Sequence, residues 1–190
     1  RFKTGPGVFF KDFIQYLPPS HSISKRPDYR RQQMIDFTIN KEYRNKISTF
    51  FFEEKILEIF NFLKIDPHSD LSVFFGSDYQ LKKLNKQYRG INEPTDVLSF
   101  DSFGVNPDSG FKHLGDIAIS LQTAEKQAKE AGHPVENELI LLLVHSILHL
   151  IGFDHNNKIE KEVMWKKQCE ILEHLEIEIY RISGDENFHD

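Results

Sequence analysis

The sequence is poor in cysteine and has no long apolar run. Its 190 residues contain a single cysteine, Cys169, which excludes an internal disulfide and a zinc cluster built from several thiolates. A reducing compartment therefore fits better than a secretory one, and we expect a cytoplasmic protein, with an organelle as the less favoured alternative. The longest apolar run, at 139–144, is much shorter than the roughly 18 residues that a membrane helix requires, so we expect no membrane span.

Basic residues are also too few for a general nucleic-acid coat. The chain has 24 Lys and Arg against 29 Asp and Glu, a formal charge of −5. The charge is uneven, because residues 1–33 carry seven Lys or Arg and two Asp, a net charge of +5 that leaves −10 for the remainder. Any contact with nucleic acid must therefore be local.

The composition is sufficient for one folded domain. Hydrophobic residues make up 39% of the chain and include 17 Phe, which is enough apolar material for a core. Residues 1–33 lack a sustained hydrophobic period, so we expect a basic, partly disordered N-terminal tail or arm, followed by a single domain over 34–190. Because the first residue is Arg, we also expect the chain to start inside a longer product.

Hydrophobic periodicity predicts an α+β fold. Alternation at 35–40 and short apolar runs at 71–75, 96–100 and 116–120 predict four strands. Helical spacing predicts five helices, at 47–63, after Gly76, and at 121–131, 135–151 and 158–175. The last helix has Asn157 as its expected cap, and the Gly/Pro/Asn/Asp-rich loop at 101–110 is typical of a flexible flap. We expect a small mixed sheet of about four strands with helices packed over it.

Two histidines, His145 and His149, lie four residues apart in a strongly apolar stretch that predicts a helix. Residues i and i+4 of a helix lie on one face about 5–6 Å apart, so both imidazoles can reach one ion. Gly152 can end the helix in a left-handed conformation, and the chain can then double back to bring His155 to the same ion. A single histidine is more often an ordinary core or surface residue, but this spacing favours a metal site at the end of a central helix. Three imidazoles suit one Zn²⁺ ion with an open, catalytic fourth position, and other divalent metals would also bind in vitro.

The histidine spacing is that of the metzincin proteases, H-E-x-x-H-x-x-G-x-x-H, with one substitution. Ser146 occupies the position of their general-base glutamate. Serine cannot accept the proton that peptide hydrolysis hands to that position, so a peptidase is disfavoured.

Three ordered motifs resemble one known family. Residues 145–155 match the signature H-[GS]-x-L-H-L-x-G-[YF]-D-H of the YbeY family of endoribonucleases that mature ribosomal RNA. The sequence LNKQYRG at 84–90, followed by PTDVLSF at 94–100, is similar to the family's second motif, and LGDIAIS at 114–120 to its third. The resemblance covers roughly residues 34–180 and leaves the basic N-terminal tract without a counterpart.

The resemblance implies a zinc-dependent, single-strand-specific endoribonuclease, a hydrolase that acts in 16S rRNA 3′-end processing and ribosome quality control. It implies His145, His149 and His155 as metal ligands, with Arg89 and His145 as catalytic residues. Expected partners are single-stranded ribosomal RNA and the small ribosomal subunit, and neither DNA nor a membrane is expected. A metal-bound water, a ribose 2′-hydroxyl or another residue could start the attack. The alternative is a non-catalytic, zinc-stabilised assembly factor that binds ribosomal RNA or ribosomal protein.

Several weaker candidates have two interpretations each. Lys82, Lys83 and Lys86 lie near Arg89 on one helix, and they either follow an RNA backbone or form a solvated face. Asp154 either orients a ligand imidazole from the second coordination shell or caps the following helix. Asp96 and Asp116, at predicted strand starts, are expected to make local hydrogen bonds, with a direct catalytic role as the less favoured alternative. His113 is expected at the surface, with a position facing the cleft as the less favoured alternative.

Overall fold

A computed structural model of the chain describes residues 2–3, 35–102, 104–106 and 110–179. The predicted N-terminal tail, apart from residues 2 and 3, lies outside the described residues. So do positions 103 and 107–109 of the predicted flap.

The described residues form an α+β domain, as predicted. Its strands are β1 Phe2–Lys3, β2 Ile35–Ile39, β3 Ser69–Gly76, β4 Val97–Asp101 and β5 Lys112–Ser120. Its helices are α1 Thr49–Phe62, α2 Asp78–Arg89, α3 Leu121–Ala131, α4 Val135–Leu150 and α5 Lys158–His174, with a 3₁₀ turn at Lys41–Tyr43. None of these helices is both long and apolar enough to cross a membrane.

The strands form one mixed sheet in the order β1-β4-β5-β3-β2. Strand β4 is antiparallel to β5, and the other neighbours are parallel. Four strands come from the predicted domain, and the two residues of β1 extend the edge beside β4. The sheet of about four strands expected from the sequence is therefore confirmed.

Alternate residues of the strands face two separate apolar clusters. In β5, Ile117 and Ile119 belong to the larger cluster with α1, α3, α4 and α5, whereas Ala118 belongs to a smaller cluster with α2. This is the period of two that a strand imposes on its side chains. The sheet thus separates α2 on one face from the remaining helices on the other, and α4 is the central helix of the larger layer.

Strand β5 begins at Lys112, earlier than the predicted start at 116. The added residues include polar Lys112 and His113 and have no apolar alternation, so they carry no strand signal of their own. They pair instead with the beginning of β3, where a register shift lies between Asp70 and Leu71. This pairing buries His113, which corrects the expectation of a surface histidine.

Candidate metal centre

Helix α4 carries the first two histidines in its last two turns. The helix ends at Leu150, and Gly152 has a φ of +106°, a value that glycine adopts without steric cost. The N–H groups of Gly152 and Phe153 donate to the carbonyls of His149 and Leu148, each at 3.0 Å. These bonds reverse the chain as the sequence predicts, and they return His155 to the helix end.

The three imidazoles converge through their Nε2 atoms. Nε2 of His149 lies 3.1 Å from Nε2 of His145 and 3.2 Å from Nε2 of His155. All three candidate ligand atoms lie within 4.8 Å of one another. Ligands at about 2.0 Å from a tetrahedral zinc ion are separated by roughly 3.3 Å, so these spacings are close to those of a coordinated ion.

Two of the rings are oriented from their opposite nitrogens. Nδ1 of His149 lies 3.0 Å from the carbonyl oxygen of Phe153, and Nδ1 of His145 lies 3.2 Å from Oε1 of Gln168. A carbonyl oxygen only accepts, so each Nδ1 is the protonated donor and each Nε2 keeps its lone pair. Lone pairs that face each other at 3.1 Å repel unless a cation lies between them, and the residues present therefore fit a divalent metal ion.

Electrostatics keep these two rings neutral. Burial, together with the neighbouring His149 and His155, lowers the pKa of His145 to about 3. Burial, together with His155, lowers the pKa of His149 to about 4. Neutral imidazole is the ligand form, so both rings are ready to bind a metal at neutral pH.

Asp154 lies beside the centre but does not bond a ligand ring. Its Oδ1 is 4.0 Å from Nδ1 of His149, whose hydrogen bond goes to the Phe153 carbonyl. The carboxylate accepts from the N–H of His155 at 2.9 Å and from the amide of Asn156 at 2.7 Å. These bonds order the loop that carries His155, and a role for Asp154 in orienting His149 stays a prediction.

Arg89 is brought to the same end of the sheet as the histidines. It is the half-buried last residue of α2, directly after Tyr88, whose ring packs on Phe100 at 4.9 Å between centroids. Phe100 is next to the β4 residue that pairs with Gly115 of β5. A Cβ atom at Gly115 would lie 2.7 Å from Leu150, the residue after His149. The C-terminal ends of α2 and α4 therefore lie on opposite faces of the sheet, at the end of the sheet where β4 ends and β5 begins.

The other candidates are placed as follows. Lys83 and Lys86 are exposed on α2, and Lys82 is half-buried there. Ser146 is buried inside α4, where a protease would carry its glutamate.

Both aspartates at the predicted strand starts bond within the protein: Asp96 directly precedes β4, and Asp116 lies inside β5. Asp96 accepts from the N–H of Val97 at 2.8 Å and from the Gln127 amide at 2.9 Å. Asp116 lies 3.0 Å from Nε2 of the buried His113.

Gln168 is the functional residue that the sequence interpretation missed. It lies on α5, is 2% exposed, and bonds His145. The available signal was a polar residue inside a helical apolar stripe, because Met164, Gln168 and Ile171 follow the spacing of one buried face. The contact of Gln168 with His145 depends on how α5 packs against α4, and hydrophobic periodicity does not predict that packing.

The fold and site define an α+β protein with a three-histidine candidate metal centre at the end of its central helix. The family model described as Endoribonuclease YbeY matches residues 36–176. A relative with that name from Persephonella marina is 42% identical over 139 residues, which cover 72% of this chain and 90% of the relative. Another from Dehalococcoides mccartyi is 34% identical over 158 residues, covering 76% and 91%.

A solved structure is similar to this chain. The solution structure of a Thermotoga maritima protein is 29% identical, has a TM-score of 0.50, and covers 75% of this chain and 92% of its own. The chain belongs to the YbeY endoribonuclease family, as the three sequence motifs indicate.

Proposed function

We propose that the protein is a zinc-dependent endoribonuclease that cuts single-stranded RNA in the cytoplasm. We further propose that it acts on the 3′ end of small-subunit ribosomal RNA and in the quality control of ribosomes, with the small subunit as its partner. The observation that carries the proposal is the convergence of the Nε2 atoms of the three histidines, together with family membership.

The chemistry of phosphodiester cleavage fits the groups at this end of the sheet. Cleavage concentrates negative charge on the non-bridging oxygens of the phosphate. When bound, a zinc ion supplies a Lewis acid that polarises one of these oxygens. The guanidinium of Arg89 provides a planar pair of donors for the others, a geometry that a lysine would not reproduce.

The same groups do not support peptide hydrolysis. A metalloprotease of this histidine spacing needs a general base at position 146, and this chain has a buried serine there. The donor set found among the described residues consists of three histidines without a carboxylate.

The first test is cleavage of a labelled single-stranded RNA that spans a small-subunit 3′ end. Metal-replete protein should cut this RNA, whereas chelator-treated protein and His149→Ala should not. Added zinc should restore cleavage to the chelator-treated wild type but not to His149→Ala. A DNA strand of the same sequence should stay intact. Cleavage that is indifferent to chelator and to His149→Ala would contradict the proposal, since it would come from a contaminating nuclease.

Arg89→Ala separates the enzyme from a zinc-stabilised assembly factor. The variant should fold and bind zinc like the wild type but lose cleavage, because it removes charge stabilisation and leaves the ligands in place. Melting temperature, zinc affinity and cleavage should be measured on the same preparation of Arg89→Ala and compared with those of the wild type. A wild type that binds ribosomal RNA but never cuts it would instead support the assembly factor.

A further inference from the structure

Helix α2 carries an excess of positive charge that the other described helices lack. It has Lys82, Lys83, Lys86 and Arg89 against Asp78, a net charge of +3. By the same count α3 and α5 are neutral, and α1 and α4 each carry −2. Asp78, which is included in this sum, is the first residue of the helix, and its carboxylate accepts hydrogen bonds from the hydroxyls of Ser120 and Thr123.

An exposed aromatic ring lies on the same face of α2 as two of the lysines. Tyr79 is 66% exposed. The ammonium of Lys83, one turn further along, lies 4.4 Å from the centroid of this ring. Lys86 follows at the next turn and is exposed. Residues i, i+4 and i+7 share a helix face, so Tyr79, Lys83 and Lys86 form one exposed stripe, named here the α2 stripe.

We propose that the α2 stripe is a stacking platform for single-stranded RNA, with a base on the Tyr79 ring and phosphates at Lys83 and Lys86. Aromatic rings beside basic side chains are how proteins hold unpaired nucleic acid, because every base offers a face for stacking. Lys83 lies over one face of the Tyr79 ring, and because Tyr79 is 66% exposed we place the base on the opposite face. This inference rests on the proposed function and adds a binding surface to it.

The α2 stripe leads towards the candidate metal centre. Ten residues separate Tyr79 from Arg89, about 15 Å at the rise of an α-helix. Arg89 is at the end of the sheet where α4 also ends, as the contact of Tyr88 with Phe100 shows. A strand that stacks on Tyr79 and passes both lysines therefore reaches Arg89 within a few nucleotides.

Positive charge and an exposed aromatic ring together select RNA over an acidic protein surface as the occupant. Lysines alone would serve either partner, but the ring adds a stacking surface that unpaired bases use. A surface that binds by charge alone would bind single-stranded and duplex RNA alike, whereas a stacking platform prefers single strands.

The test is the affinity of the full chain for a labelled single-stranded RNA, measured by fluorescence anisotropy in chelator so that the RNA stays intact. Tyr79→Ala should bind about 5- to 150-fold more weakly, and Tyr79→Phe, which keeps the ring, should stay within about twofold of the wild type. Lys83→Ala should lower the salt dependence of log K by about 0.7. Phe50→Ala is the matched control, because Phe50 is 76% exposed on the acidic helix α1 and should have no effect.

The outcomes separate the platform from the proposed function. If Tyr79→Ala binds RNA as tightly as the wild type, or if Phe50→Ala is equally weakened, the platform is overturned while wild-type cleavage still stands. The platform is also overturned if Tyr79→Ala weakens single-stranded and duplex RNA by the same factor. If the wild type neither binds nor cuts RNA, the proposed function fails as well.

Discussion

Replacing Gly115 with alanine tests the close packing that holds the candidate metal centre against the sheet. Gly115 has a φ of +151°, where a residue with a side chain is strained. Its new Cβ atom would lie 2.3 Å from the carbonyl oxygen of Phe100 and 2.7 Å from Cδ2 of Leu150. The first of these atoms is backbone of the paired strand, and the second belongs to the residue beside His149. The clash with Phe100 must be relieved by moving the backbone of β4 or β5, and the contact with Leu150 by displacing its side chain on α4.

The size of the effect follows from two terms. An unfavourable backbone conformation costs about 1 to 3 kcal/mol, and overpacking of a closed contact costs about the same. We expect the free energy of unfolding to fall by about 2 to 6 kcal/mol, a large part of the roughly 5 to 15 kcal/mol typical of a domain. Urea denaturation followed by circular dichroism, in chelator to remove any contribution of metal, measures this loss.

Gly132→Ala is the matched control. Gly132 also has a positive φ, +78°, but a Cβ atom there would meet no atom within 4 Å. It should cost roughly 1 to 2 kcal/mol from the left-handed conformation alone and leave zinc affinity unchanged. Gly115→Ala should also weaken zinc binding, because Leu150 is coupled to His149. Equal losses of stability in the two variants, with equal zinc affinity, would refute the argument from packing.

Two further predictions concern the histidines. Gln168→Leu removes the acceptor of the His145 Nδ1–H and should weaken zinc binding about 10- to 100-fold, measured by chelator competition. Gln168→Glu keeps an acceptor and should weaken zinc binding less. Unchanged zinc affinity in the leucine variant would contradict a positioning role for Gln168. In the metal-free protein, the folded-state pKa is about 3 for His145 and about 4 for His149, so the unfolded chain takes up protons there first as pH falls below about 6.5. Stability should therefore fall progressively from about pH 6.5 to about pH 4. Urea midpoints should show this loss of stability, and the loss should be smaller in His145→Gln. A midpoint that rises on acidification would contradict the prediction.

Local patterns in the sequence were enough for the elements and for the three histidines. The predicted helix at 135–151 is α4, and Asn157 caps α5 by accepting from the N–H of Glu160 at 3.0 Å. His145 and His149 are one turn apart, so helix geometry alone places them together. His155 follows because Gly152 reverses the chain within a few residues.

The features that the sequence did not reveal all depend on contacts between distant segments. His113 is buried because β5 pairs with the beginning of β3, and no apolar alternation in the sequence predicts that pairing. Gln168 reaches His145 only after α5 packs on α4. Both cases require the register of two elements, which propensity and periodicity leave undetermined.

The sheet resolves a conflict between the acidity of the chain and the substrate that we propose for it. Two of the three histidines are on α4, which carries −2, and the basic residues are on α2, which carries +3. The two helices lie on opposite faces of the sheet, yet their ends meet where β4 pairs with the beginning of β5. In the function that we propose, an RNA strand would meet positive charge on one face of the sheet and reach the histidines around the end of the sheet. A change at that end, such as Gly115→Ala, should consequently affect zinc affinity and cleavage more than the initial binding of RNA to α2.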